Sequence, residues 1–353
     1  MSGEDQLTTA ESAGTDTTGW GYSLANLREL LFGCLDAIEA KSVVEVGAFR
    51  GELTSELLDW AAGSGARIVG IDPEPPEELL ELGAQRPELT LVLEPSHEAL
   101  ATVEIPDALV IDGDHNYYTL SEELRIVWER APDTAMPLMM FHDVAWPHAR
   151  RDTYYVPERI PEERRQPLAH EVYLSPSNPG VSDDGGLPFV WAAAREGGPR
   201  NGTLTALEDF VAERTGLRLA TVPAFFGFGA LWHTSAPWAG AVAELLDPWD
   251  RNVLVARLEE NRVSQIVERS RETLKLQRMN EEVTRRSKAQ GDRLREKEAK
   301  IKEQQALLRR LLQSRAIVLM ERLARFRPGQ EPTISREEIR RALSSNESDP
   351  SYE

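Results

Sequence analysis

The nine residues Val43-Val44-Glu45-Val46-Gly47-Ala48-Phe49-Arg50-Gly51 constrain the fold more than any other stretch. A short run rich in β-branched residues reads as a buried strand. Gly47 ends the run and permits a tight turn with its backbone open to a ligand. Gly51 follows, and then Leu53, Leu57 and Leu58 recur on one face of a helix. Strand, glycine loop and helix together leave unpaired N–H groups and a positive helix end beside the carboxyl edge of a sheet. Open α/β sheets bind ligands at that edge, although an ordinary strand-to-helix turn looks much the same.

The strands that follow build such a sheet. Arg67–Ile71 is a second strand ending in Asp72, and Pro73, Pro75 and Pro76 stop it. Leu89–Leu93 is a third, and Ser96 opens a short helix. Ala108–Ile111 is a fourth and ends in Asp112. Thr119-Leu-Ser-Glu122 reads as a capping box for the next helix, and Met136–Phe141 is a fifth strand ending at His142-Asp143. Short apolar strands alternating with helices are the pattern of a mostly parallel sheet covered on both faces. Upstream, Ser23 caps a helix whose stripe runs through Leu27, Leu31, Cys34, Leu35 and Ile38. The fold class is therefore α/β, Rossmann-like. Leu217–Val222 and Phe225–Trp232 add a closing antiparallel hairpin. A long helix or coiled coil follows.

Four segments are expected, the second with an insert. Residues 1–19 form a disordered tail, polar and without an apolar run. Residues 20–248 form the α/β domain. Within it, 145–200 is a proline-rich lid insert carrying His148, Arg150, Arg151, Tyr154 and Tyr155 as candidate substrate contacts. Residues 249–327 form a long charged helix, and 328–353 a tail with a short helix opened by Ser335. In the long helix, Leu294, Ile301 and Leu308 fall seven apart. Leu276, Met279 and Val283 make a second seam in another phase. A homo-oligomer through this helix is expected, with a solitary charged helix as the alternative.

Charge narrows the partners. The 353 residues carry a formal net charge of −19, which argues against a general nucleic-acid binder. The stretch 251–330 is the exception, with about 21 basic against about 11 acidic residues. Cys34 is the only cysteine, so no internal disulfide forms. No run is long enough to span a bilayer, and a cytoplasmic location is expected.

Glu45-x-Gly47-x-x-x-Gly51, Asp72 and Asp112 end three strands in register. An acid at the end of the second strand can accept both ribose hydroxyls of an adenosine, though an isolated Asp equally caps a helix. A nicotinamide dehydrogenase uses the same acid, but its glycine motif admits a pyrophosphate where this chain has Phe49. A bulky residue there suits a cofactor without a pyrophosphate, such as S-adenosylmethionine.

Over about residues 22–235 the chain resembles the class I S-adenosylmethionine-dependent methyltransferases. Within that class it is similar to the metal-dependent sugar O-methyltransferases of macrolide biosynthesis and the cephalosporin-hydroxylase-like proteins. The motifs that carry the resemblance are Glu45–Gly51, Ile111-Asp-Gly-Asp-His-Asn-Tyr117 and Phe141-His-Asp-Val144. The resemblance implies that Glu45, Gly47, Phe49, Gly51, Asp72, Ser96 and Asp112 hold S-adenosyl-L-methionine. It implies Mg²⁺ or Mn²⁺ on Asp112 and Asp143, and His115 as general base beside Asp112 in catalysis. Some relatives carry a second acid where His142 stands, so His142 is either a third ligand or a packed residue bonded to backbone. The substrate class implied is a small molecule with a hydroxyl, a sugar or glycosylated metabolite. The alternatives are a hydroxylase-like enzyme on the same fold and a coiled-coil scaffold whose domain only binds the cofactor.

Overall fold

The computed structural model describes residues 22–183, 185–324 and 335–345. The expected tail 1–19, the expected end of the long helix at 327 and most of the tail 328–353 lie outside them. A 3₁₀ turn, Leu24–Leu27, leads into α1, Arg28–Ala37, and the Ser23 hydroxyl accepts the Ala25 N–H as foreseen. There follow β1 Ser42–Val46, α2 Glu52–Ser64, β2 Arg67–Ile71, α3 Glu77–Gln85, β3 Leu89–Val92, α4 Ser96–Thr102, β4 Ala108–Ile111, α5 Tyr117–Arg130 and β5 Leu138–Phe141. Next come β6 Leu168–Ser175, β7 Asn178–Ser182, β8 Leu187–Ala193, α6 Thr203–Ala212, β9 Leu217–Val222, β10 Phe228–His233 and α7 Ala239–Leu246. The chain continues as α8 Val253–Gln313, α9 Arg315–Ala324 and α10 Arg336–Ser345.

The main sheet has seven strands in the order β3-β2-β1-β4-β5-β10-β9. Pairing is parallel from β3 through β5, and β10 runs antiparallel to both β5 and β9. Period-two alternation sends Val43, Ile68, Val110 and Met140 to one face, beneath α1, α2 and α7. Val44, Val46, Ile71, Ile111 and Phe141 go to the other face, beneath α4, α5 and α6. Both faces are thereby buried, which explains the almost uninterrupted apolar strands. Val46 pairs with both Ile71 and Ile111, and Ile111 pairs with Phe141. That register brings Gly47, Asp72, Asp112 and His142 to one edge.

Four local expectations are corrected. The helix after β4 begins at Tyr117, because Asn116 accepts the Thr119 N–H at 2.8 Å and is itself the cap; Thr119–Glu122 lies within the helix. The insert 145–200 is not one open lid loop. It contains an antiparallel sheet, β7-β6-β8, joined to the preceding segment by a Thr153–Ala192 bridge. Phe225 and Phe226 are not strand residues but a turn at φ 52° and 64°, with β10 starting at Phe228. The long helix breaks at Ser314 before α9.

The chain divides into two compact units, one ending at Leu274 and one from Lys275 onward. The first third of α8 therefore belongs with the sheet, beyond the expected boundary at 248. Val263, Ile266 and Val267 are buried with Leu187 and Phe226. Glu259 accepts the Phe226 N–H at 2.8 Å and pairs with Arg262. In the second unit α8 is highly charged, and Leu276, Met279, Val283, Leu294, Ile301, Leu307 and Leu311 are exposed. Ser335 caps α10 reciprocally with Glu338, as expected. Among the described residues no helix is long and apolar enough to cross a membrane.

Candidate functional site

The glycine loop is built by close backbone contact. Gly47 stands at φ +86°, and a Cβ there would lie 2.2 Å from the Asp112 carbonyl oxygen. Only a glycine lets β1 end this close to the end of β4. The Phe49 N–H donates to Asp72 Oδ2 at 2.9 Å, and the Glu74 N–H donates to Asp72 Oδ1 at 3.0 Å. Asp72 thus braces the loop while each carboxylate oxygen keeps a lone pair for a further donor. The Phe49 ring is exposed, with the Arg50 guanidinium over it. Gly51 precedes α2, where a Cβ would meet a Leu82 methyl at 2.8 Å.

Glu45 is hydrogen-bonded to Thr54 on α2. Its side chain is buried, the Thr54 hydroxyl donates to Oε2 at 2.6 Å, and burial pushes its carboxyl up to about 8. Ser96 sits in the first turn of α4 beside the buried Glu123 carboxyl. Neither joins the group of side chains at the sheet edge.

That group consists of Asp112, His115, His142, Asp143 and His148. Asp112 and the pair His142-Asp143 end adjacent strands, and Asp143 is held at φ +57°. His142 Nε2–H donates to the Phe225 carbonyl at 2.9 Å, so Nδ1 faces Asp112 Oδ1 at 3.2 Å and Asp143 Oδ1 at 3.8 Å. The other oxygen of Asp143, Oδ2, lies 3.3 Å from His115 Nε2 and 3.5 Å from His148 Nε2. Two groups of donors therefore share Asp143: Asp112, His142 and Asp143, and His115, Asp143 and His148, with donor atoms in each within 4.8 Å of one another.

Electrostatics separate the three imidazoles. Burial alone would keep His142 neutral, but Asp112 and Asp143 outweigh it and raise His142 to about 10. Burial lowers His148 to about 3, leaving it neutral at physiological pH. Asp143 itself is deeply buried, which opposes ionisation. His148, His142 and His115 around it prevail and hold its carboxyl below the usual range.

The insert candidates separate as well. Arg151 is buried and donates to the carbonyls of Ala193 and Pro179, so it ties β8 to β7. Tyr154 is buried and donates to Asp152. Arg150 pairs with Glu208 on α6. Tyr155 remains exposed, with its ring 5.9 Å from that of His115. His148 is the residue whose place the sequence did not disclose. Its only signal was a second histidine six residues after His142, and a turn rather than a regular element delivers it.

Residues 44–144 match the family described as "Methyltransferase domain". The match runs from Val44 within β1 to Val144 and so contains the residues grouped at the sheet edge except His148. No curated protein matches the chain. Among solved structures, the chain is similar to the S-adenosylhomocysteine-bound Podospora anserina methyltransferase PaMTH1, at 14% identity and TM-score 0.36, over 58% of this chain and 77% of that one. A Staphylococcus aureus protein provisionally described as a caffeoyl-CoA O-methyltransferase gives 10% identity and TM-score 0.37, over 66% of this chain and 93% of that one. Human N-acetylserotonin methyltransferase bound to S-adenosylmethionine gives 12% and 0.32, over 57% and 50%. These faint likenesses carry no argument; the family match does, and it identifies residues 44–144 as a methyltransferase domain.

Proposed function

We propose that the enzyme transfers a methyl group to a hydroxyl of a small molecule, a sugar or glycosylated metabolite, with help from Mg²⁺ or Mn²⁺. The observation that carries this reading is the contact of Gly47 with Asp112, which sets the cofactor loop directly against the acid–histidine cluster. The residues fit the cofactor. The free lone pairs of Asp72 suit ribose hydroxyls, and the N-terminus of α2 suits a carboxylate. Exposed Phe49 offers an apolar wall. S-adenosylmethionine supplies an electrophilic methyl on a sulfonium.

The donor set also fits a divalent cation. Asp112, Asp143 and His142 Nδ1 would hold it, and it would supply Lewis-acid polarisation of the acceptor oxygen. His115 is the base in this reading. Its Nε2 lies 3.3 Å from Asp143 Oδ2, so with Nδ1 as proton acceptor the carboxylate would stabilise the imidazolium that forms. A second reading rests on His142: as an imidazolium between Asp112 and Asp143 it neutralises both without a metal. The exposed apolar residues of α8 fit self-association with a second copy, and the acidic catalytic body fits a small-molecule rather than a nucleic-acid substrate.

Labelled S-adenosylmethionine, Mg²⁺ and a panel of nucleotide sugars and glycosides test the reading. Chelation should abolish transfer and leave cofactor binding intact. His115→Ala should keep metal dependence and lower turnover about 10²–10⁴-fold. Full turnover in excess EDTA selects the metal-free role of His142.

A further inference from the structure

The second donor group has a geometry of its own. His115 follows β4, Asp143 follows β5, and His148 lies one turn further on. We propose that His115, Asp143 and His148 bind Zn²⁺ on Asp143 Oδ2, the face of the carboxylate opposite the Asp112–His142 position. The separations decide between a hydrogen-bonded cluster and a ligand set. Charge-assisted N–H···O bonds run at about 2.7–2.9 Å. Here both imidazole nitrogens stand off the same oxygen, at 3.3 and 3.5 Å. A tetrahedral ion with bonds of about 2.0–2.2 Å places neighbouring donors about 3.3–3.5 Å apart. Octahedral Mg²⁺ at about 2.1 Å would draw them to about 3.0 Å.

The surroundings orient both rings. His148 Nδ1 lies 2.9 Å from Thr153 Oγ1, which leaves Nε2 directed at Asp143. The Thr153 N–H donates to the His115 carbonyl at 3.0 Å, so one residue fixes both histidine segments. Such outer partners orient metal-binding imidazoles. Phe189 packs edge-on against His148 and shields that side, while the exposed Tyr155 beside His115 marks the approach from solvent. Two imidazoles and one carboxylate with a remaining open position form a donor set that favours zinc over hard cations.

Zinc here takes the Nε2 lone pair of His115, whereas the base reading needs a proton on Nε2. Micromolar Zn²⁺ should therefore inhibit Mg²⁺-dependent methyl transfer. That consequence alone rests on the proposed function; the binding itself does not.

The test uses Co²⁺ as a spectroscopic probe on the untagged full chain, without cofactor or acceptor. One Co²⁺ per chain should bind with the visible absorption of four- or five-coordination, and one equivalent of Zn²⁺ should displace it. His115→Gln and His148→Gln should abolish the absorption. Thr153→Val, which keeps volume and all three ligands, should weaken binding about 10–100-fold. Asp112→Asn should leave it unchanged. No bound Co²⁺, or Co²⁺ retained with both Gln variants folded by circular dichroism, overturns the site. So does binding that fails in Asp112→Asn but survives in Thr153→Val, since the ion then sits on the oxygen-rich side. None of these readouts involves methyl transfer, so failure here and failure of the enzymatic reading are told apart.

Discussion

Gly47→Ala should destabilise the enzyme far more than a chemically identical change at Gly65. Both glycines have positive φ, +86° and +70°. An L-residue in that region costs about 1–2 kcal/mol, and the loss of chain entropy in the unfolded state offsets part of it equally in both variants. At Gly65 nothing lies within 4 Å of the added Cβ, so strain is the whole effect. At Gly47 the Cβ would sit 2.2 Å from the Asp112 oxygen, 2.6 Å from its carbonyl carbon and 2.8 Å from Gly113 Cα. All three are backbone atoms just past the end of β4, and β1 and β4 are paired through Val46 and Ile111. Relief requires parting β1 from β4 at the site, an overpacking cost of about 1–3 kcal/mol. We expect a total loss of about 2–5 kcal/mol for Gly47→Ala and about 1–2 for Gly65→Ala. Urea unfolding of native and both variants reads the difference. Equal losses would refute the claim that the loop is set by contact with Asp112.

Stability should also depend on Glu45. Burial raises Glu45 and Glu123 from the ordinary 4.5 to about 8, so between those values the native chain holds protons that the unfolded chain has released. Their contribution is full below about 4.5 and is lost as pH rises toward 8. Glu45→Gln keeps an acceptor for Thr54 but cannot ionise, so its stability should fall less steeply from pH 5 to 8.5; parallel curves by urea unfolding would contradict the assignment. A chain ending at Leu274 should fold and sediment as a monomer while the full chain sediments as an oligomer, because the seam residues Leu276, Met279, Val283, Leu294 and Ile301, exposed on α8, lie beyond that point. The same mass per particle for both would reject self-association through the helix.

Much of the frame was legible because both faces of the main sheet are covered. β1, β2, β4 and β5 are short apolar runs that end in Gly47, Asp72, Asp112 and His142, and the parallel register carries those ends to one edge. Boundaries failed where two local signals compete. Asn116 and Thr119 are both plausible caps, and the buried amide of Asn116 wins. β6–β8 stayed hidden because Pro179 and Pro188 interrupt them and because they form a sheet only through pairing with one another. The packing of α8 on the first unit was readable in principle, since Glu259, Val263, Ile266 and Val267 recur on one helical face. His148 was a candidate, but its place beside Asp143 was not readable. Its position depends on the Thr153 bond to His115 and on the turn at Ala145–Ala149, contacts that no periodicity encodes.

Calorimetric titration of S-adenosylmethionine into the native protein and into Asp72→Ala tests the central claim most directly. A hydrogen bond to a charged, partly buried group contributes about 1.5–3 kcal/mol, which corresponds to a tenfold to roughly hundredfold change in Kd. The account predicts one site per chain, no competition by NAD, and weakening of that order in Asp72→Ala. Absent binding by the native protein, preferential binding of NAD, or an unchanged Kd in Asp72→Ala would contradict it.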